Sequence, residues 1–202
     1  MKIDEIISAI QSALGIEVDG KAGPDTWGAI YNKIVSTPKT NPQSITDIDK
    51  VDPRSEKVIA TLLPEVQPYA RALVHKAADA GVIIKIISGL RTYEEQDALY
   101  AQGRTAPGNI VTKAKGGQSN HNFGIAFDIG VFEGNKYLED SPKYKTVGIL
   151  GVELGLEWGG NWKTITDQPH FQLRPIWAKE LTEKSMLAEL RSRKASGESY
   201  YA

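Results

Sequence analysis

Apolar residues recur along this chain at two distinct periods. Ile3, Ile6, Ile7, Ile10 and Leu14 follow helical spacing, the turn-rich run Asp19-Gly20-Lys21-Ala22-Gly23-Pro24 interrupts it, and Trp27, Ile30, Tyr31 and Ile34 resume it. The pattern predicts a small helical hairpin over residues 1–35. From Ser36 to Arg54 the composition shifts to Thr, Pro, Asn, Ser and Asp, the makeup of a solvated linker, which leaves 55–202 as the main domain. There, Val66 to Ala80 has helical spacing closed by Gly81, and the β-branched run Val82–Ile87 predicts a buried strand. Thr92 and Glu95 form a capping box, so a helix should run from Tyr93 to Gln102 and stop at Gly103, with Arg91 between strand and helix.

Further on, Phe123, Ile125, Phe127 and Ile129 alternate with Gly124, Ala126, Asp128 and Gly130, predicting a strand that buries the aromatics and turns Asp128 to the other face. His121 lies just before it. Tyr144, Val147, Leu150 and Leu154, ending at Gly155, predict another helix, and Pro169–Leu173 a last strand with His170 and Gln172 on its polar face. The segment from Ile176 to Lys194 reads as a charged helix with a solvated face, and Ala195–Ala202 as frayed. The expected class is α+β: a small antiparallel sheet surrounded by helices and preceded by a small helical domain.

Composition narrows the chemistry. With 41% hydrophobic and 24% charged residues the chain can bury a core, and a formal charge of −1 gives no field for nucleic acid. No run reaches transmembrane length, so no membrane insertion is expected, and a monomer is. With no cysteine, any metal must be held by His and carboxylates.

Of the three histidines, two lie beside acidic residues in strand-like segments. Asp128 sits in the apolar run Gly-Ile-Ala-Phe-Asp-Ile-Gly, where an unpaired carboxylate is costly and calls for a cationic partner. Two histidines and one carboxylate are a set that catalytic zinc takes while leaving a fourth position open. His121, Asp128 and His170 supply it, although the spacing alone fits two hydrogen-bonded structural histidines equally well. Amide hydrolysis also needs a base, for which Asp167 is placed three residues before His170, and a stabiliser of oxyanion or substrate carboxylate, for which Arg91 is placed at a strand end. Taken singly, Asp167 reads as a turn residue before Pro169 and Arg91 as a surface cation. His75 has no ligand-type neighbour at suitable spacing and reads as an ordinary helix residue. Of Trp158 and Trp162, flanking two glycines, one is expected in the core, and a pocket wall is the alternative for the pair.

Three ordered segments carry a resemblance. Ser88-Gly89-Leu90-Arg91-Thr92, Gln118-Ser119-Asn120-His121-Asn122-Phe123-Gly124-Ile125-Ala126-Phe127-Asp128 and Asp167-Gln168-Pro169-His170-Phe171 resemble the signatures of M15 peptidoglycan peptidases, a group that includes D-Ala-D-Ala carboxypeptidases and phage L-alanyl-D-glutamate endolysins. The resemblance spans about Ile45 to Pro175. It implies Zn2+ on His121, Asp128 and His170, Asp167 as catalytic base where many relatives carry Glu, and Arg91 and Ser119 on the substrate side. Residues 1–35 resemble a shortened peptidoglycan-binding repeat. The expectation is therefore a zinc-dependent L-alanyl-D-glutamate endopeptidase of the phage endolysin type acting on bacterial peptidoglycan. The alternatives are a D-Ala-D-Ala carboxypeptidase and a non-catalytic zinc-containing wall-binding module. The amino terminus lacks the features of a secretory signal, so synthesis in the host cytoplasm and access to the wall through a membrane lesion are expected.

Overall fold

A computed structural model describes residues 2–35 and 48–202, and the chain divides into two compact units, Met1–Asn41 and Pro42–Ala202. In the first, α1 (Ile3–Leu14) and α2 (Pro24–Val35) form the expected hairpin. The buried centre of that unit is polar. Gln11 donates through Nε2 to Asp19 Oδ1 at 2.6 Å and Thr26 Oγ1 at 2.9 Å, and its Oε1 accepts from the Gly20 N–H at 2.9 Å. Ile3 and Trp27, expected to pack, stay exposed. Most of the predicted linker, residues 36–47, lies outside the described residues.

The second unit begins with an element the sequence pattern did not reveal. Asp52 caps α3 (Pro53–Ile59) by accepting from the Arg54 and Ser55 N–H groups, with Pro53 in the first turn where its missing N–H costs nothing. Ile48 and Val51 already pack on the main core, so ordered structure starts ahead of the predicted limit at Arg54. The chain continues through α4 (Gln67–Asp79), β1 (Ile83–Ser88), α5 (Tyr93–Ala101), a 3-10 helix (Asn120–Phe123), β2 (Ala126–Glu133), β3 (Lys136–Leu138), α6 (Lys143–Glu153), β4 (Glu157–Trp158), β5 (His170–Gln172) and α7 (Glu183–Ser196). The Thr92–Glu95 capping box is formed. The strands make one antiparallel sheet in the order β1-β2-β5-β4, with β3 paired to the far end of β2.

Register explains what this sheet does. Ser88, Asp128 and His170 are partners across three adjacent strands, so one row carries chemistry. The neighbouring row, Phe127, Phe171 and Trp158, points to the opposite face because successive side chains alternate. There Phe127 and Phe171 stack with centroids 5.8 Å apart over a core shared with α4 and α6. Gly148 and Gly151 of α6 lie directly against the Trp158 and Phe171 rings, where any Cβ would come within 2.3 and 2.4 Å of ring carbons. Close approach of α6 thus fixes the strands that carry the site.

Three expectations need correction. The strand does not begin at Phe123: Gly124 adopts φ 67°, ending the 3-10 helix and breaking the alternation, so Phe123 and Ile125 enter a second cluster with Ala178, Met186, Leu187 and Leu190. Nor is the carboxyl end frayed. After Gly197 the chain folds back, Trp177 Nε1 donates to Tyr200 O at 2.9 Å, Tyr201 Oη donates to Leu173 O at 2.6 Å, and the Tyr200 ring meets Phe123 edge-on. The basic run in α7 is also less solvated than expected: Arg191 donates to Gly117 O at 2.8 Å and Lys194 lies 4.2 Å over the Tyr93 ring.

Candidate metal centre

His121 sits in the 3-10 helix, Asp128 on β2 and His170 on β5. The short helix is sewn to the segment after β1. Asn122 accepts from Gly117 N–H at 2.9 Å and donates to Arg91 O at 2.9 Å, while the Arg91 N–H donates to His121 O at 3.1 Å. His121 Nδ1 faces Gly89 O at 2.7 Å and His170 Nε2 faces Gln172 Oε1 at 3.0 Å. Both partners only accept, so those nitrogens carry the protons and the lone pairs lie on His121 Nε2 and His170 Nδ1. These two atoms and Asp128 Oδ1 form a triangle with every side 3.3 Å.

Lone pairs and an anion brought together need a cation among them. Four-coordinate zinc with bonds of about 2.0–2.1 Å sets its donors about 3.3–3.4 Å apart along the tetrahedron edges. The three atoms therefore fit a zinc ion in spacing, donor type and tautomer, and no other such His/Asp/Glu group occurs among the described residues. Burial works to raise the Asp128 carboxyl, but His121 and His170, when protonated on the nitrogens that face it, outweigh burial by charge and hydrogen bonding and hold it far below the usual carboxylate range. His170 is likewise opposed by burial, yet Asp128 raises it.

A relay of side chains backs His170. Gln172 also accepts from Asn120 Nδ2 at 2.5 Å and donates to Glu157 Oε2 at 2.6 Å, and Arg174 bridges Glu157 to Glu183. The imidazole orientation is thereby set by a network that starts at buried Gln172 and Asn120 and runs out to the surface carboxylates, rather than by one contact.

The triangle opens into a cleft of about 1220 Å³ whose walls include Arg91, Ser119, Asp167 and Trp162. Arg91 donates from Nη1 to Gln96 Oε1 at 2.7 Å and from Nη2 to Ser88 Oγ at 3.2 Å, and stands 4.0 Å from Asp128 Oδ2. Burial raises the Asp167 carboxyl and the Asp128 charge adds to the rise, against the pull of His170, His121 and Arg91. Asp167 is held by its loop: its N–H donates to Gly159 O at 3.0 Å, and Gly159 packs against both Asp167 and His170.

Residues 112–173 match a peptidase family, M15, described as D-alanyl-D-alanine carboxypeptidase. Over 130 residues the chain is 39% identical to the peptidoglycan L-alanyl-D-glutamate endopeptidase CwlK of Bacillus subtilis, covering 58% of this chain and 77% of that relative. The chain belongs to the M15 peptidases. Among solved structures it resembles the L-Ala D-Glu endopeptidase ChiX of Serratia marcescens (24% identity, TM-score 0.48, 63% of this chain and 91% of that one). It also resembles the vancomycin-resistance D,D-pentapeptidase VanY in complex with Zn(II) (20% identity, TM-score 0.45, 65% and 82%).

In this M15 chain every residue given a role from the sequence reaches the cleft, while His75 is not among its lining residues and hydrogen-bonds Asp49 O among the described residues. Sequence reasoning missed three contributors. Trp162 is a cleft wall, its ring 4.8 Å from that of His170, and only Trp158 is core. Gln172 was placed on the right face but not as the partner of His170. Gln96 had no signal beyond its polar type in a short helix.

Proposed function

We propose that this M15 peptidase is a zinc-dependent endopeptidase that hydrolyses the L-alanyl-D-glutamate bond of peptidoglycan stem peptides. The observation that carries the reading is the triangle of metal-type donors opening on a cleft lined by the half-buried Asp167 carboxyl and a fixed guanidinium. Identity to CwlK supports the choice of bond. A zinc ion on His121, Asp128 and His170 would supply Lewis acidity towards the carbonyl and a water of lowered pKa. Asp167 takes the proton of the attacking water and returns it to the amine nitrogen as the C–N bond breaks. Arg91 has two N–H groups committed to Gln96 and Ser88 and offers the others to the developing oxyanion or to a substrate carboxylate. Ser119 lies at the cleft edge as a substrate contact.

The D-Ala-D-Ala carboxypeptidase reading stays in view because the matched family carries that description. The lytic setting of a phage endolysin, with synthesis in the host cytoplasm and passage through a membrane lesion, is the finer reading. It is supported by the wall-binding-like turn sequence of residues 1–35. Mass spectrometry of fragments released from purified sacculi, with His121→Ala as control, tests the bond. Peptides newly beginning with D-Glu support the proposal, whereas loss of one terminal D-Ala would replace it with the carboxypeptidase reading.

A further inference from the structure

Gln96 in α5 is fully buried, and the metal chemistry has no use for it. Its Oε1 accepts from Arg91 Nη1 at 2.7 Å, while its Nε2 donates to Ala114 O at 2.8 Å and Thr112 Oγ1 at 3.3 Å. Thr112 Oγ1 in turn accepts from the Ala114 N–H at 3.1 Å, and Arg104 donates to Thr112 O at 3.0 Å. Residues 110–114 form one wall of the cleft, with Ile110 and Val111 exposed at its rim. A single amide therefore ties the guanidinium on one side to that wall on the other. A carboxamide does both, accepting from a cation through its oxygen and donating to a carbonyl through its nitrogen. Burial makes each bond costly to lose.

The alternative open to Arg91 shows what the tie prevents. Its remaining holds are Ser88 Oγ at 3.2 Å and the Asp128 carboxylate at 4.0 Å. Released from Gln96, the guanidinium can swing towards Asp128 Oδ2 and out of its place in the cleft, leaving Asp128 Oδ1 in the metal triangle.

We propose that Gln96 is a positioning residue that aims Arg91 into the cleft, away from Asp128, and couples that aim to the seating of the 110–114 wall. The inference rests on the reading of Arg91 as a substrate-side group. The test uses the zinc-loaded full chain and a soluble stem peptide, with Gln96→Met, which keeps volume but neither hydrogen bond, Arg91→Ala, and the double variant. Gln96→Met should lower kcat/KM by roughly tenfold to hundredfold at unchanged zinc content, as misplacement of a reacting group does. It should weaken product-peptide binding in calorimetry. In the Arg91→Ala background the same change should cost less than about twofold, because the two residues act as a unit. Gln96→Glu, which retains the acceptor for Arg91, should recover part of the loss and serves if Gln96→Met does not fold. Equal cost in both backgrounds, equal loss in both Gln96 variants, or no loss from Gln96→Met overturns the proposal. Wild-type kcat/KM in Arg91→Ala overturns it through the Arg91 reading, and is told apart by that single variant.

Discussion

Gly159→Ala isolates the geometry of the base from its chemistry. Gly159 does not have positive φ, so alanine meets no backbone penalty there and its effect is purely steric. The added Cβ would lie 2.4 Å from Asp167 O and 3.1 Å from both the Asp167 and His170 Cβ atoms. Restoring an ordinary contact requires the Asp167–His170 segment to move by roughly 1 Å, since backbone atoms cannot rotate away. A displacement of that size costs about a hundredfold in rate, or about 2.7 kcal/mol of barrier. Overpacking should also remove about 1–3 kcal/mol of stability, a thermal shift of a few degrees for a chain of this size. The assay is kcat/KM on a soluble stem peptide, with zinc content and melting temperature measured on the same samples. Gly23→Ala, where nothing lies within 4 Å of the new Cβ, is the matched control and should leave activity unchanged. Activity of Gly159→Ala within about twofold of the parent would refute the argument that Gly159 sets the base against the metal ligands.

Gln172→Leu removes the acceptor that fixes the His170 tautomer and should weaken zinc binding by about 10–100-fold in chelator competition. Tyr201→Phe leaves Leu173 O without its donor and should cost about 1 kcal/mol, a thermal shift of about 2–4 °C. Arg71 hydrogen-bonds Glu56 through both carboxylate oxygens and holds it below its ordinary pKa. This lowered folded-state pKa makes the pair stabilising above the unfolded value and less so as pH falls through the folded one. Glu56→Gln should therefore cost about 1 kcal/mol at neutral pH, with the melting-temperature gap narrowing below about pH 4.3. Deleting residues 1–35 should reduce sedimentation with purified sacculi while leaving hydrolysis of a soluble peptide intact; equal retention of both chains would remove a wall-binding role for that segment.

Periodicity carried well where one face decides an element. The helices ending at Gly81 and Gly155, the Thr92 capping box and the strand through Asp128 were all legible, because apolar spacing and end signals agreed with the tertiary structure. Phe123 misled because its place in the alternation matched a strand while Gly124 set the backbone to φ 67°, a choice that two-residue periodicity cannot register. The carboxyl end misled because its polar composition hid two adjacent tyrosines, whose ring and hydroxyl find partners on Phe123 and Leu173 far away in the chain. At the site, the ligand-type residues were legible from their chemistry, since histidines and an acid in apolar strands are conspicuous. Gln96, Gln172 and Trp162 were not, as a neutral amide or an indole acquires its role only from what the fold puts opposite it.

The central claim is that His121, Asp128 and His170 hold one catalytic zinc. Zinc should be titrated into chelator-stripped protein while bound metal and stem-peptide hydrolysis are followed together, with His121→Ala alongside. The account predicts activity rising in proportion to occupancy and saturating at one zinc per chain, with neither tight binding nor hydrolysis in the variant. Full hydrolysis by the stripped protein, or undiminished zinc binding by His121→Ala, would contradict it.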